Sequence, residues 1–159
     1  MIGCIIQARM GSFRLPKKVM KKIDNDLTVL DYVIEQIKSS KNIEKIIVAT
    51  TILEEDNIIS DYLYSHKYEV FRGSSEDVLD RFYQCAKKFS IDTIVRITAD
   101  NPLIDPKIID MAVDRGIYID QSQSLNLHIA KMMKTVLPRT KQSNVAPEII
   151  RILLSLHQS

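Results

Sequence analysis

Short apolar runs alternate along this chain with stretches whose apolar residues recur at helical spacing. The apolar runs cover residues 2–7, 45–50, 69–71 and 93–98. The helical pattern covers residues 28–39, 54–65, 75–89 and 106–113. Strands that are apolar throughout are typical of a parallel sheet with helices on both faces, because each strand is then buried on both sides. The alternation therefore predicts an α/β fold built on a mostly parallel sheet.

The pattern weakens beyond residue 114 or so. In this last part only residues 147–156 again resemble a helix, with apolar side chains at helical spacing. We therefore expect an α/β domain over residues 1–115, followed by a divergent segment over residues 116–159 that packs on the same domain.

Polar residues follow the predicted strands at the edge where a ligand is expected. In open parallel sheets, ligands bind beyond the carboxyl ends of the strands, where the strand order reverses. The loops after Gln7, Thr50, Arg72 and Thr98 all carry polar or charged side chains. The sequence therefore predicts that these four loops form the binding edge.

The composition argues against several classes of protein. A chain of 159 residues suits one compact domain, and its net charge of +2 is too small to predict binding to nucleic acid or a membrane surface. No apolar run approaches the roughly 20 residues of a membrane span. Cys4 and Cys85 lack CxxC spacing and are expected to be buried free thiols. We therefore expect a cytoplasmic protein without nucleic acid or membrane partners.

A basic segment follows the first strand. Its six basic residues fall within fourteen positions that contain no acid: Arg9, Arg14, Lys17, Lys18, Lys21 and Lys22. Gly11 permits close backbone approach to a ligand, and successive amides in such a turn bind phosphate oxygens. The residues alone leave two interpretations open, a phosphate site and a solvated basic loop. Neither GxGxxG nor a Walker motif is present, which disfavours a dinucleotide-binding dehydrogenase.

Three motifs carry a family resemblance. Residues 7–18 read QARMGSFRLPKK and resemble the loop QARMGSTRLPGK of cytidylyltransferases in the CMP-sugar synthetase superfamily, specifically the spore-coat polysaccharide branch. The chain departs from that loop at Phe13 and Lys17. Residues 71–82, FRGSSEDVLDRF, are similar to the family's RGSxxDVLxR, and residues 96–106, RITADNPLIDP, to its RxTGDCPLIDP. The resemblance covers roughly residues 2–113.

The resemblance implies both a fold and an activity. The fold is a Rossmann-like three-layer sandwich of the nucleotide-diphospho-sugar transferase type, here shortened at its C-terminal end. The activity is a nucleotidyltransferase that moves CMP from CTP to a sugar for surface polysaccharide biosynthesis. Mg²⁺ is the implied cofactor, while CTP and an unidentified sugar acceptor are the implied partners. A homodimer is left open.

The resemblance also implies roles for individual residues. Arg9, Lys18 and Asp100 would be catalytic, with Asp100 also the ligand of the metal. The nucleotide would be bound by residues from all three motifs: Gln7, Ala8, Arg9, Gly11, Ser12, Arg14, Lys18, Arg72, Gly73, Ser74 and Thr98.

Several of these residues have structural alternatives. A structural ion pair is an equal alternative for Arg14, and Asp100 is alternatively a helix N-cap. Asp105 is expected to cap the helix that begins at residue 106. For Arg81, we favour an ordinary ion pair with Asp77 one helical turn earlier.

The last part of the chain decides between two functions. Family members normally continue well past this length, and the part beyond supplies a second metal-binding aspartate and much of the acceptor pocket. Asp120 and Glu148 are the candidate substitutes, although no motif supports either. The chain is therefore expected to be either an active transferase or a catalytically impaired CTP-binding domain that acts as a remnant or partner subunit.

Overall fold

A computed structural model describes residues 1–11, 17–24 and 27–115, together with the backbone of residues 152–153. The strands are β1 (Ile2–Gln7), β2 (Lys22–Asp24), β3 (Leu27–Thr28), β4 (Lys45–Thr51), β5 (Val70–Gly73), β6 (Thr93–Thr98) and β7 (Ile152–Leu153). The helices are α1 (Val29–Lys38), α2 (Asn57–Ser65), α3 (Val78–Phe89) and α4 (Pro106–Arg115). Two short 3-10 turns lie at Lys18–Met20 and Glu54–Asp56. Within this described part, no helix combines the length and apolarity that a membrane span needs.

The main sheet has the strand order β5-β4-β1-β6-β7, and all of its pairs are parallel. Strand β1 lies at its centre, where Gln7 is opposite Ala49 on one side and Thr98 on the other. The chain adds β4 and β5 on one side of β1 and then returns to add β6 on the other. The strand order therefore reverses between β1 and β6, which is where ligands bind in such sheets.

Helices cover both faces of the sheet, as predicted. Alternate residues of β1 divide between the two faces: Cys4 and Ile6 pack with α1, α2 and α4, whereas Ile5 packs with α3. Both cysteines are buried and unbridged. The three-layer α/β sandwich expected from the sequence is thereby confirmed.

Helix α1 shows why these elements form where they do. Thr28 Oγ1 accepts a hydrogen bond from the Asp31 amide, and Asp31 Oδ2 accepts one from the Thr28 amide, forming a reciprocal capping box. The apolar stripe of the helix is buried against the sheet, and each fully buried aliphatic side chain contributes about 1.5–3 kcal/mol. Tyr62 of α2 donates to the same Asp31 carboxylate at 2.6 Å, which fixes the two helices relative to each other.

The structure differs from the sequence prediction at the start of α3, at residues 152–153 and in the β2–β3 hairpin, which was not predicted. Helix α3 begins at Val78 and not at residue 75, because Ser74 and Asp77 form a turn that precedes it. Residues 147–156 were expected to be helical, yet Ile152 and Leu153 form β7, which pairs with Val95 and Arg96 of β6. A short apolar run is compatible with both a helix and a strand, so the available edge of β6 determines that residues 152–153 form a strand. The other residues of the predicted 116–159 segment lie outside the described residues, and the domain boundary stays a prediction.

Candidate active site

The point where the strand order reverses brings together residues that are far apart in the sequence. The Ala99 amide donates a hydrogen bond to the Gln7 carbonyl at 2.9 Å, so the segments that follow β1 and β6 start out side by side. Lys18 Nζ forms an ion pair with the Asp100 carboxylate directly at this edge. Both side chains are about one-third exposed, at 31% and 35%. The predicted phosphate-binding lysine and the predicted metal ligand are therefore neighbours.

The Asp100 carboxylate is held in its ionised form. Partial burial opposes ionisation, but hydrogen bonds from Lys18 and Thr98 and the charge of Lys18 outweigh it and lower the pKa of Asp100. Asp100 does not cap α4, which begins six residues later at Pro106. Asp105 serves that end of α4, since its Oδ1 accepts the Lys107 amide at 2.8 Å, as predicted. Asp100 is thus an ionised carboxylate at this edge of the sheet.

The start of the basic loop is fixed by a buried acid, Asp56, that no sequence pattern singled out. Asp56 is fully buried and accepts the Met10 amide at 2.6 Å through Oδ1. Its Oδ2 accepts the Thr51 amide at 3.3 Å and the Thr51 hydroxyl. A single carboxylate thereby joins the loop after β1 to the end of β4. Asp56 sits in an acidic run with Glu54 and Glu55, which resembles a solvated helix start.

Two further contacts shape this loop. The Lys17 amide donates to the Met10 carbonyl at 3.2 Å, which brings the ends of the loop together. Lys17 has a left-handed backbone, with φ 61° and ψ 16°, at the position where the family loop has glycine. At Gly11 an added Cβ would lie 2.8 Å from Glu55 Oε1, so a larger residue would press on that side chain. Ser12 and Arg14 lie outside the described residues, and their predicted roles stay untested.

The Arg72–Ser74 segment is also at this edge, where β5 ends. Arg72 donates from Nε to the Thr51 carbonyl at 3.0 Å and from Nη2 to the Leu53 carbonyl at 2.9 Å, and so holds the loop after β4. Ser74 Oγ accepts the Asp77 amide at 2.9 Å. These predicted nucleotide-binding residues therefore have structural contacts of their own, and their hydrogen bonds set the shape of the loops around the crevice.

Arg81 corrects one expectation from the sequence. It was expected to form an ion pair with Asp77, but its guanidinium donates instead to the Ser74 carbonyl, and the side chain is only 1% exposed. The reason is the approach of α3 to Gly73, where an added Cβ would lie 2.9 Å from Arg81 Cγ. Arg81 is thereby buried beneath the loop and cannot reach the helix surface. Asp77 caps α3 and accepts the Asp80 amide.

Three guanidinium groups lie at this edge without an ion-pair partner among the described residues: Arg9, Arg81 and Arg96. Burial lowers the pKa of Arg81, and the charge of Arg9 lowers it further. Burial also lowers the pKa of Arg96, with an added contribution from the charge of Arg81. Buried cations such as Arg81 and Arg96 are costly without compensation, and an anion bound near this edge would offset their charge even without contacting them. The edge is therefore electrostatically suited to a polyanion.

A divalent metal fits this edge if the Asp100 carboxylate and the phosphates of a ligand hold it together. Among the described residues, no group of three or more His, Cys, Asp or Glu side chains is arranged to hold an ion. Mg²⁺ requires no such cage when phosphates supply further oxygen ligands, because it is commonly bound by one or two carboxylates and substrate phosphates. An ionised, partly exposed Asp100 beside the Lys18 ammonium suits that mode of binding.

Comparison with known proteins agrees with the fold and the motifs. The cytidylyltransferase family model matches residues 3–145. An uncharacterized protein of Methanocaldococcus jannaschii is 52% identical over 110 residues, which are 69% of this chain and 45% of that protein. A spore coat polysaccharide biosynthesis protein of Bacillus subtilis is 37% identical over 113 residues, 69% of this chain and 47% of that protein.

The solved structure of a cytidylyltransferase from Leptospira borgpetersenii is 28% identical and has a TM-score of 0.72. That likeness covers 99% of this chain and 76% of the other. The present chain spans about half the length of the two curated relatives just described.

Proposed function

The chain belongs to the cytidylyltransferase family, and from this premise we propose that it binds CTP with Mg²⁺ and transfers CMP to a sugar acceptor. The observation that carries the proposal is the Lys18–Asp100 ion pair where β1 and β6 end, with Arg9 two residues beyond the end of β1. The similarity to the Bacillus subtilis spore coat polysaccharide protein supports surface polysaccharide as the destination of the sugar.

Each group at the edge has a defined part in such a transfer. Lys18 and Arg9 bind phosphate oxygens, the lysine as a point charge and the arginine through its forked donors. Asp100 holds Mg²⁺, which when bound neutralises charge on the phosphate oxygens. Asp56 anchors the Met10 amide and thereby holds the backbone between Arg9 and Lys18. The protein's contribution is therefore positioning and charge neutralisation, and no protein nucleophile is required.

The transfer itself exchanges one phosphorus–oxygen bond for another. A sugar hydroxyl oxygen bonds to the α-phosphorus of CTP while the bond from that phosphorus to the bridging oxygen breaks. Pyrophosphate leaves with the bonding electrons, and the hydroxyl proton passes to solvent. The cationic groups stabilise the charge that develops on the departing pyrophosphate.

Calorimetric titration with CTP and Mg²⁺ tests the binding half of the proposal. Arg9→Ala and Lys18→Ala should each weaken CTP binding about tenfold or more, because each removes a charge-assisted contact to phosphate. Arg115→Ala and Lys87→Ala are the matched controls, since both residues are exposed at the ends of helices. Absence of CTP binding by the unmodified protein would refute the proposal.

Pyrophosphate release across a panel of sugars and sugar acids tests the transfer half. Release that depends on one acceptor would support the transferase and identify its substrate class. Tight CTP binding with no release for any acceptor would favour the alternative left open by the sequence, an impaired CTP-binding domain that acts as a remnant or partner subunit.

A further inference from the structure

The side chain of Gln7 is held by a residue of the neighbouring strand. Arg96 Nη2 donates a hydrogen bond to Gln7 Oε1 at 2.6 Å, across the β1–β6 pair. The guanidinium carbon of Arg96 lies 5.4 Å from the centroid of the Phe82 ring on α3. Its Nε is buried without a hydrogen-bond partner among the described residues. Arg96 is thus fixed between the sheet and α3, with Gln7 as its hydrogen-bond acceptor.

This contact determines which way the Gln7 amide faces. An arginine has donors only, so the amide must turn its oxygen, and not its nitrogen, towards Arg96. The nitrogen Nε2 then carries two hydrogens on the other side of the amide. Within the described residues the Gln7 side chain makes no further hydrogen bond, and it is partly exposed. The amide therefore presents free N–H donors at the carboxyl end of β1.

A neutral pair of donors matches one part of CTP better than the rest. The triphosphate is served by the charged groups of Arg9 and Lys18, whereas Gln7 projects on the α3 face together with Arg96. Cytosine carries two adjacent acceptors, O2 and N3, on one edge. Uracil keeps the O2 acceptor but carries a hydrogen on N3. That N3–H donor would face the N–H donors of Gln7, and neither would have an acceptor.

We propose that Gln7 recognises the O2–N3 edge of cytosine and that Arg96 is the positioning residue that turns its amide towards the base. This inference rests on the proposed CTP binding and adds the origin of base selectivity. Arg96 does not touch the nucleotide; it acts by removing the alternative orientation of the amide. A wrong ligand is rejected strongly when its binding leaves a buried polar group of the site without a hydrogen-bond partner.

The test is the ratio of CTP affinity to UTP affinity, measured by calorimetry with Mg²⁺ for unmodified protein and for Gln7→Glu. The carboxylate can still accept from Arg96, so the fold should hold, but it offers acceptors to the base in place of donors. The ratio should fall about tenfold or more, the range of one well-placed hydrogen-bond pair to a base. Repulsion between the new charge and the triphosphate affects both nucleotides equally and cancels in the ratio.

Two Arg96 variants separate positioning from simple structural support. Arg96→Lys keeps a donor for Gln7 Oε1 and should retain the ratio, whereas Arg96→Met removes the donor and should lower it. Equal ratios in both variants would overturn the role of Arg96, even if Gln7→Glu failed to fold. An unchanged ratio in Gln7→Glu, with CTP still bound by the unmodified protein, would overturn the role of Gln7 and leave the proposed function standing. No CTP binding by the unmodified protein would contradict both.

Discussion

Replacing Asp56 with asparagine removes one of two acceptor oxygens from the fully buried side chain that joins the basic loop to β4. In the native structure Oδ1 accepts the Met10 amide, and Oδ2 accepts both the amide and the hydroxyl of Thr51. The Thr51 hydroxyl also accepts the Leu53 amide at 3.2 Å. Three donors therefore depend on this one carboxylate.

The cost of Asp56→Asn follows from these contacts. If the new amide keeps its oxygen towards Met10, its NH₂ group faces Thr51, whose hydroxyl can rotate to accept from it. The Thr51 amide then has no acceptor, which costs about 1–3 kcal/mol for a buried N–H. The bond from Met10 also loses its charge assistance, at a further cost of about 1 kcal/mol. We expect a loss of roughly 2–4 kcal/mol, a large part of the 5–15 kcal/mol typical of a domain.

Urea denaturation followed by far-ultraviolet circular dichroism measures this loss. A thermal melt should show a decrease of about 5–15 °C for a domain of this size. Asp61→Asn makes the same chemical change at an exposed position of α2 and should leave stability within about 0.5 kcal/mol. If Asp56→Asn is no more destabilising than Asp61→Asn, the carboxylate does not anchor the loop, and the reasoning is wrong.

Three further outcomes are expected. Lys17→Gly should be more stable to urea than Lys17→Ala by about 0.5–1 kcal/mol, because alanine keeps a Cβ at φ 61° and glycine does not; equal stabilities would contradict this. The lowered pKa of Asp100 means that its contribution to stability is complete above its ordinary pKa of about 3.9 and is lost as pH falls through the lower folded value. Asp100→Asn should therefore lose less stability than the unmodified protein between about pH 5 and pH 2, and parallel urea midpoints would refute the assignment. Burial raises the pKa of Cys85 to about 12 and also raises that of Cys4, so a thiol reagent at about pH 8 should label both only after unfolding; rapid labelling of the native protein would count against it.

The main sheet and its helices were predictable because burial on both faces leaves a strong pattern. Each predicted strand and helix in residues 1–115 matches the structure to within three residues at either end. The β2–β3 hairpin was missed, since Lys22, Ile23 and Asp24 are all exposed and show no apolar alternation. Short exposed strands are specified by their local turn and not by burial, so periodicity does not detect them.

The placement of candidate site residues was predictable where a motif named them and unpredictable where tertiary contacts decide. The Lys18–Asp100 pair follows from two motifs at neighbouring strand ends. The burial of Asp56 and Arg81 could not be predicted, because an acid in an acidic run and an arginine on an amphipathic helix are usually solvated. Only the packing of α3 against Gly73 and of the 3-10 turn against the loop buries them.

The central position of β1 has a consequence for how the protein is made. Strand β1 is synthesised well before one of its two neighbours in the sheet, β6, which ends at Thr98. Until β6 is synthesised, one edge of the central strand has no partner, and unpaired strand edges promote association with other chains. The Lys18–Asp100 pair spans 82 residues and can form only after β6 has docked, so loop closure over that length precedes the site. The proposed nucleotide site is therefore completed late, and a nascent chain that ends before β6 gains no stabilisation from the ligand.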